Sequence, residues 1–508
     1  MNLKKQTLKN VGASWLGLVV NAGVGFFLSP FILHKLGDAA FGLWVLLITV
    51  FGYYGLLDLG IRSSIIKYVA EFNATRDLDR LLRTINTVVF SYACLGLTIF
   101  IITETASFFV GTLFHLPPDL VHTAEILFRM VGLAVAILFP LSVFSGVLQG
   151  LQRFDLLNLT QIGSNLARAI LIIVALTHGG GLLTVAFITL ALFIAVQVTC
   201  LVLAHHLVPL RYGRDLLDRA TFHRIIGYSS ITFLISIAEK LRFGTDAVVI
   251  GIFLSPVAIT FYAVGSKLVD YSVGFVEAMA EIFLPMASQF DAAGDSGRLR
   301  KLFVAGNRAS ALVMFPVCGI LIVLGKSIIS VWMGPKYISS YTVLLLLLLP
   351  RTLYRAQAAS NRILFGMYRH KALAIVVFIE GISNLILSVI LVHYYGIVGV
   401  ALGTTIPLVL TSLFFLPPYL CRLLKVPLKT FLAEAYSAPL GLSLLLVAVL
   451  LAERHIFLPH TYFRVAEQIV VGGLVYSAGL VWLLLTMEPA GNKAKARFVQ
   501  LVQQALSR

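Results

Sequence analysis

The sequence predicts an all-α integral membrane protein: about fourteen transmembrane helices, as two parallel six-helix lobes around a central cavity plus two extra C-terminal helices. Composition, the length of the apolar runs and an internal repeat predict it. Of 508 residues, 59% are hydrophobic and 12% charged, and the mean hydropathy is +0.94. A soluble domain carries about a quarter charged residues. The apolar residues fall in stretches of about 20 or more, enough to cross roughly 30 Å of hydrocarbon at 1.5 Å per residue. There every backbone polar group must be bonded internally, which leaves helices or a closed barrel. A barrel would alternate in polarity, whereas Val343 to Leu349 is apolar on every face.

Taken in order, the spans run 11–33, 41–61, 84–110, 124–149, 157–177, 182–204, 225–253, 256–288, 303–329, 341–365, 371–393, 397–420, 435–452 and 466–487. The net charge of +16 sits mainly in short connections, a topological pattern that gives no reason to expect nucleic acid. One set of connections carries Arg62, Lys67, Arg76, Arg80 and Arg83, then Arg153, then Arg211, Arg214, Arg219 and Arg224, then Arg298, Arg300 and Lys301, then Arg369 and Lys371, then Arg422, Lys425 and Lys429. In the alternate set, the connections Glu104 to Val121 and His178 to Gly181 have no Lys or Arg. The positive-inside rule then places both termini in the cytoplasm, as an even number of spans requires. Met1 to Asn10, with Lys4, Lys5 and Lys9, precedes an apolar stretch too long for a signal-peptide core, so the first span is expected to be retained. Cys94, Cys200, Cys318 and Cys421 are far apart and read as small core residues; neither a disulfide framework nor a metal site is expected.

Two segment pairs recur. "QGLQRFDLLN" from Gln149 matches "FGMYRHKALA" from Phe365, aligning Gly150 with Gly366 and Arg153 with Arg369 at an offset of about 216. "HGGGLLTVA" from His178 matches "HYYGIVGVA" from His393 at nearly the same offset. Six spans separate the copies, so both keep one orientation. The expected organisation is an N-terminal lobe at 1–204, a cytoplasmic linker at 205–224, a second lobe at 225–420, helices thirteen and fourteen within 435–487, and a cytoplasmic amphipathic tail at 488–508. The tail has Phe498, Leu501, Val502 and Leu506 at helical spacing, suited to an anionic leaflet.

The stretch from Leu36 to Phe72, "LGDAAFGLWVLLITVFGYYGLLDLGIRSSIIKYVAEF", resembles the second-helix signature of Wzx-type polysaccharide biosynthesis transporters of the multidrug/oligosaccharidyl-lipid/polysaccharide (MOP) superfamily. "VFSGVLQGLQRFDLLNL" and "DAVVIGIFLSPVAITFYAVGSKL" resemble the fourth helix and the seventh-to-eighth hairpin of the same proteins. The resemblance implies a flippase moving a polyprenyl-pyrophosphate-linked oligosaccharide from the cytoplasmic to the periplasmic leaflet of a bacterial inner membrane. Its product would enter O-antigen (lipopolysaccharide), capsule or exopolysaccharide assembly, with a glycan polymerase and a chain-length regulator as further partners. No enzyme activity and no cofactor are expected, and a proton or sodium gradient is the expected drive. Two other readings stand beside it. A MATE-like cation-coupled drug antiporter would favour acids and aromatics over arginines, and a glycan polymerase or ligase would need a sizeable extracytoplasmic loop.

Ionisable groups at mid-bilayer cost at least about 2.5–3.5 kcal/mol each on insertion scales, so they face protein or water. Span ten carries Arg351, Arg355 and Arg362 at i, i+4 and i+11; on a continuous helix these fall within about 40° of one another over roughly 16 Å. The guanidinium fork binds phosphate bidentately, so this ladder is expected to contact cargo, or else to pair with acids. Arg242, Arg308 and Arg168 are further cargo candidates. Span seven has Glu239, Arg242 and Asp246 on one stripe; span eight has Lys267, Asp270, Glu277 and Glu281 on another; Glu380 stands alone in span eleven. The mixed signs suit ion pairs, while Asp246, Glu239, Glu380 and Asp270 are the candidates for ion coupling, because an acid's charge state depends on its burial and neighbours. Asp58 and Arg62, one turn apart, read as a local pair or gate, and His205 and His206 as interfacial residues.

Overall fold

A computed structural model describes residues 3–58, 61–457 and 459–486. The expected amphipathic tail at 488–508 lies outside the described residues. Among them the chain is helical, with no strand. The helices of the first half are α1 (Leu3–Leu36), α2 (Asp38–Tyr54), α3 (Ile61–Thr75), α4 (Leu78–Ser107), α5 (Val110–Leu113), α6 (Pro118–Gly150), α7 (Phe154–Thr177) and α8 (Leu182–Leu207). Then come α9 (Arg219–Phe243), α10 (Asp246–Phe253), α11 (Pro256–Ala280), α12 (Phe283–Ala292) and α13 (Ser296–Trp332). The chain continues through α14 (Ser340–Arg355), α15 (Ala358–Gly366), α16 (Lys371–Leu410), α17 (Leu416–Leu424), α18 (Leu428–Ile456) and α19 (Tyr462–Thr486). Nine helical stretches among the described residues are long and apolar enough to cross a bilayer, so the chain is a multi-pass membrane protein.

Several expected spans are interrupted. Span two passes from α2 through a 3₁₀ turn at Gly55–Asp58 towards α3, span seven breaks between Phe243 and Asp246, and span eight breaks after Ala280. Span ten, expected as one helix, stops at Arg355 and resumes at Ala358. This corrects the continuous ladder: Pro350 lies inside α14, and Arg362 belongs to a different helix from Arg351 and Arg355. Spans eleven and twelve, labelled together as α16, are two helices that meet at a kink with one non-helical residue, Gly396 (φ 56°, ψ −134°), a backbone conformation open to glycine alone.

The described residues form two compact units, those up to 274 with 371–411, and those of 275–370 with 412–486. In the first, α4, α6 and α8 pack side by side, α1 lies on α7, and α9 and α10 lie against α16. In the second, α13 is the centre, flanked by α14, α15, α18 and α19. Val323 and Leu324 of α13 pack with Leu446 and Leu450 of α18 and Tyr476 of α19, and the Tyr476 hydroxyl donates to the Leu312 carbonyl at 2.7 Å. The two C-terminal helices are therefore built into this unit by ordinary core packing.

The repeated segments share a turn. Gln152 (φ 58°) and Tyr368 (φ 54°), which align in the repeat, are both left-handed. Around them Arg153 N donates to Leu148 O and Arg369 N to Leu364 O, at 2.9 and 3.0 Å, so each copy ends its helix with the same reversal.

Candidate functional site

A cavity in the first unit, about 630 Å³, is lined from α1, α2, α3, α4, α6, α7 and α8 and from the 3₁₀ turn. Span five supplies Gln161, Ser164, Asn165 and Arg168, spaced i, i+3, i+4 and i+7, so one face of α7 is polar within a membrane helix. Asn165 Nδ2 donates to Asn21 Oδ1 at 3.3 Å. The Arg168 guanidinium lies 5.7 Å from the centre of the Phe193 ring, an arrangement that holds a cation against an apolar wall. Span two adds Asp58 and Arg62. Asp58 works locally as a helix cap, its Oδ1 accepting from Arg62 N at 3.2 Å, while Arg62 Nη2 reaches Ser145 Oγ at 3.5 Å. The rings of Phe51, Tyr54, Tyr92, Phe139 and Phe193, with the Gln197 amide, complete the wall. The Tyr92 hydroxyl and Gln197 Oε1 are buried and make no protein hydrogen bond. Guanidinium, amide and aromatic groups are the set that binds phosphate and sugar hydroxyls.

A second constellation lies among α9, α10, α11 and α16. Arg242 forms an ion pair with Glu380, both side chains 2% exposed. Asp246 accepts from the Tyr262 hydroxyl at 2.5 Å and from Thr404 Oγ1 at 3.2 Å. Asn384 Nδ2 donates to the Arg242 carbonyl at 2.7 Å, and its Oδ1 accepts from Ser388 at 2.9 Å. Three of the predicted residues, Arg242, Asp246 and Glu380, thus meet in one buried polar network. Glu239 and Asp270 are exposed and outside it. No group of three His, Cys, Asp or Glu suited to a metal occurs among the described residues.

The arginines of the second unit meet protein partners. Arg355 pairs with Glu277 and Arg362 with Glu281 at 2.5 Å, while Arg308 Nε donates to the Glu434 carbonyl at 2.7 Å. Arg351 is 9% exposed, so a ligand reaches it only after a rearrangement. Exchanging the charges, Glu277→Arg with Arg355→Glu, should restore membrane abundance and transport lost in either single variant. Recovery of neither would return Arg355 to direct cargo contact.

The fold and the cavity define a class, an α-helical multi-pass membrane protein with a polar chamber inside a helical bundle. Residues 7–291 match the polysaccharide biosynthesis protein family, and the chain belongs to that family. A Shigella flexneri protein assigned as an O-antigen transporter is 22% identical over 400 residues, covering 75% of this chain and 90% of its own. Among solved structures, the lipid II flippase MurJ in an inward closed conformation superposes with a TM-score of 0.74 at 18% identity, over 94% of this chain and 99% of that one. An inward-facing multidrug resistance MATE transporter gives 0.68 at 14% identity, over 82% and 96%. These structural likenesses establish the shared fold.

Arg168 is legible in the sequence from its charge; the chamber around it is not. The signal was present in the amides and hydroxyl at Gln161, Ser164 and Asn165, which carry no charge and so do not stand out in a search for intramembrane ions.

Proposed function

We propose that the protein flips a polyprenyl-pyrophosphate-linked oligosaccharide from the cytoplasmic to the periplasmic leaflet of a bacterial inner membrane, for assembly of O-antigen, capsule or exopolysaccharide. The observation that carries this reading is the chamber in which Arg62 and Arg168 stand beside amides and aromatic rings. Family membership and the glycan-transporter assignment of the Shigella relative support it. Arg168 and Arg62 hold phosphate, the rings and amides hold sugar, and the paired arginines of the second unit serve packing. The fold is shared with drug antiporters, but two guanidinium groups in the chamber oppose a cationic drug. No enzymatic step is assigned. The matched turns at Gln152 and Tyr368 support the two-lobe duplication.

Ion coupling belongs to the same proposal. Asp246 is held by two hydroxyl groups, which serve a charged or a protonated carboxyl alike, so it is the exchange site; Glu380 is committed to Arg242.

The test is accumulation of translocated glycan in a strain lacking the protein. Arg168→Ala should lower it about tenfold or more at unchanged membrane abundance, the loss of one charge-assisted phosphate contact. Arg168→Lys should fall between, because an ammonium cannot reproduce the fork. Normal transport by a well-expressed Arg62→Ala, Arg168→Ala double variant would remove the chamber from the mechanism. Topology is tested independently. Reporter fusions at Arg76, Arg214 and Arg298 should read cytoplasm and those at Pro117, Gly180 and Tyr395 periplasm; two reversed sites would overturn the orientation.

A further inference from the structure

A second cavity, of about 400 Å³, is built on α4, α6 and α8 and on the linker that follows α8. Three helices therefore serve both cavities, and on α6 and α8 they do so with different faces. On α6 the chamber takes Leu138, Phe139 and Ser142, and the second cavity Pro140, Leu141 and Phe144. On α8 the corresponding sets are Phe193, Val196 and Gln197 against Leu201, Val202, His205 and His206. At 100° per residue these faces point roughly 160° apart on both helices. The second cavity is a groove turned away from the chamber.

Its walls are aliphatic and aromatic; its rim is polar and carries the Arg211 guanidinium. His205, His206, Arg211 and Tyr212 are all exposed. The rim is also held in place. Asn86, 6% exposed, donates from Nδ2 to the Arg211 carbonyl at 2.8 Å, and its Oδ1 accepts from Gly213 N at 3.3 Å. One buried amide thus fixes the residues on both sides of Tyr212, whose ring sits edge-on to Phe144 at 6.5 Å. Two acids lie nearby. Asp218 is engaged as the cap of α9, accepting from Thr221 N at 2.9 Å, and Asp215 offsets one of Arg211, Arg214 and Arg219, so the linker presents net positive charge.

We infer that this groove binds one anionic phospholipid, its hydrocarbon chain against Val89, Leu141 and Val202 and its phosphate at His205, His206 and Arg211. This rests on the cytoplasmic placement of the linker, where the leaflet is anionic and basic side chains attract its headgroups. The orientation decides the occupant: the groove opens away from the chamber, so it does not lead the cargo's chain towards its headgroup. A second copy of this chain would bring like charge to the rim. The bound lipid tethers the linker to α4 and α8.

The experiment is native mass spectrometry of the full chain released from nanodiscs of mixed phosphatidylglycerol and phosphatidylcholine. The wild type should retain one phosphatidylglycerol, preferred about tenfold over phosphatidylcholine. Val202→Trp, which fills the groove from a lipid-facing position, should lower retention about tenfold. Leu159→Trp on the exposed face of α7, 68% exposed, should not. The triple variant His205→Ala, His206→Ala, Arg211→Ala should keep a lipid but lose the preference, and Asn86→Ala should weaken the preference with every rim charge intact. Equal retention by wild type and Val202→Trp would overturn the inference, as would absence of headgroup preference in the wild type. Displacement of phosphatidylglycerol by undecaprenyl phosphate at this groove would reassign it to cargo. None of these readouts depends on transport, so failure here is distinct from failure of the flippase reading.

Discussion

Arg242→Ala is expected to be the most damaging single substitution in the first unit. It strands the Glu380 carboxylate in a site where both partners are 2% exposed, and it removes a guanidinium packed 4.8 Å from the centre of the Phe243 ring. Removing one member of a buried pair costs roughly 3–5 kcal/mol. The expected result is a large fall in folded protein, measured as membrane abundance and as melting temperature in detergent. Replacing both members, Arg242→Met with Glu380→Met, should recover most of the stability, because the desolvation cost of the pair disappears with its attraction. Transport by that double variant then tests the network itself. If Arg242→Ala alone is as stable as the wild type, the pair is not buried as described.

The second large effect is expected at Gly42. A Cβ there would sit 1.7 Å from the Pro256 carbonyl oxygen, and backbone cannot rotate aside as a side chain can. Around this contact Thr260 Oγ1 donates to the Asp38 carbonyl at 2.7 Å, and Lys267 Nζ donates to Ser29 Oγ at 3.1 Å. Pro256, Thr260 and Lys267 fall at i, i+4 and i+11 on α11, one face turned to α1 and α2. The contact lies at the ends of spans two and eight assigned to the periplasm. Gly42→Ala should therefore force α2 and α11 apart, an overpacking cost of about 1–3 kcal/mol or more, and open this seal. In a background without the native cysteines, Ala263→Cys, 3% exposed, should be protected from a membrane-impermeant maleimide. Adding Gly42→Ala should make it react at least about tenfold faster. Continued protection would show that the close approach is not a seal.

Hydropathy and length made the helical membrane fold legible, because hydrocarbon leaves the backbone so few choices. The breaks were not. Gly244 and Thr245 interrupt span seven, and Ala356 and Gln357 interrupt span ten, where Gln357 Nε2 donates to the Ser412 carbonyl at 2.8 Å. That bond is long-range, and no local pattern announces it. The arginine stripe and the acidic stripe of span eight were both visible, yet the pairing of Arg355 with Glu277 and Arg362 with Glu281 depends on how those helices meet. Arg242 was named for cargo and Asp246 and Glu380 for ion coupling, each from its charge, but Glu380 stands alone in its span, and its pairing with Arg242 depends on how α9 meets α16. The chamber was half legible. Arg168 was named from its charge, while Arg62 was assigned to a local pair, and the 3₁₀ turn that brings it to the wall follows from tertiary packing.

The most direct test of the central claim is flipping by the purified protein in proteoliposomes. A fluorescent polyprenyl-pyrophosphate oligosaccharide is placed in both leaflets, and the fraction accessible to a membrane-impermeant quencher is followed with time under an imposed ion gradient. The account predicts movement of the labelled lipid by the wild type, reduced about tenfold or more in Arg168→Ala and lost with Asp246→Asn when transport depends on the gradient. Equal rates in protein-free and protein-containing vesicles, or a wild-type rate in the Arg62→Ala, Arg168→Ala variant, would contradict it.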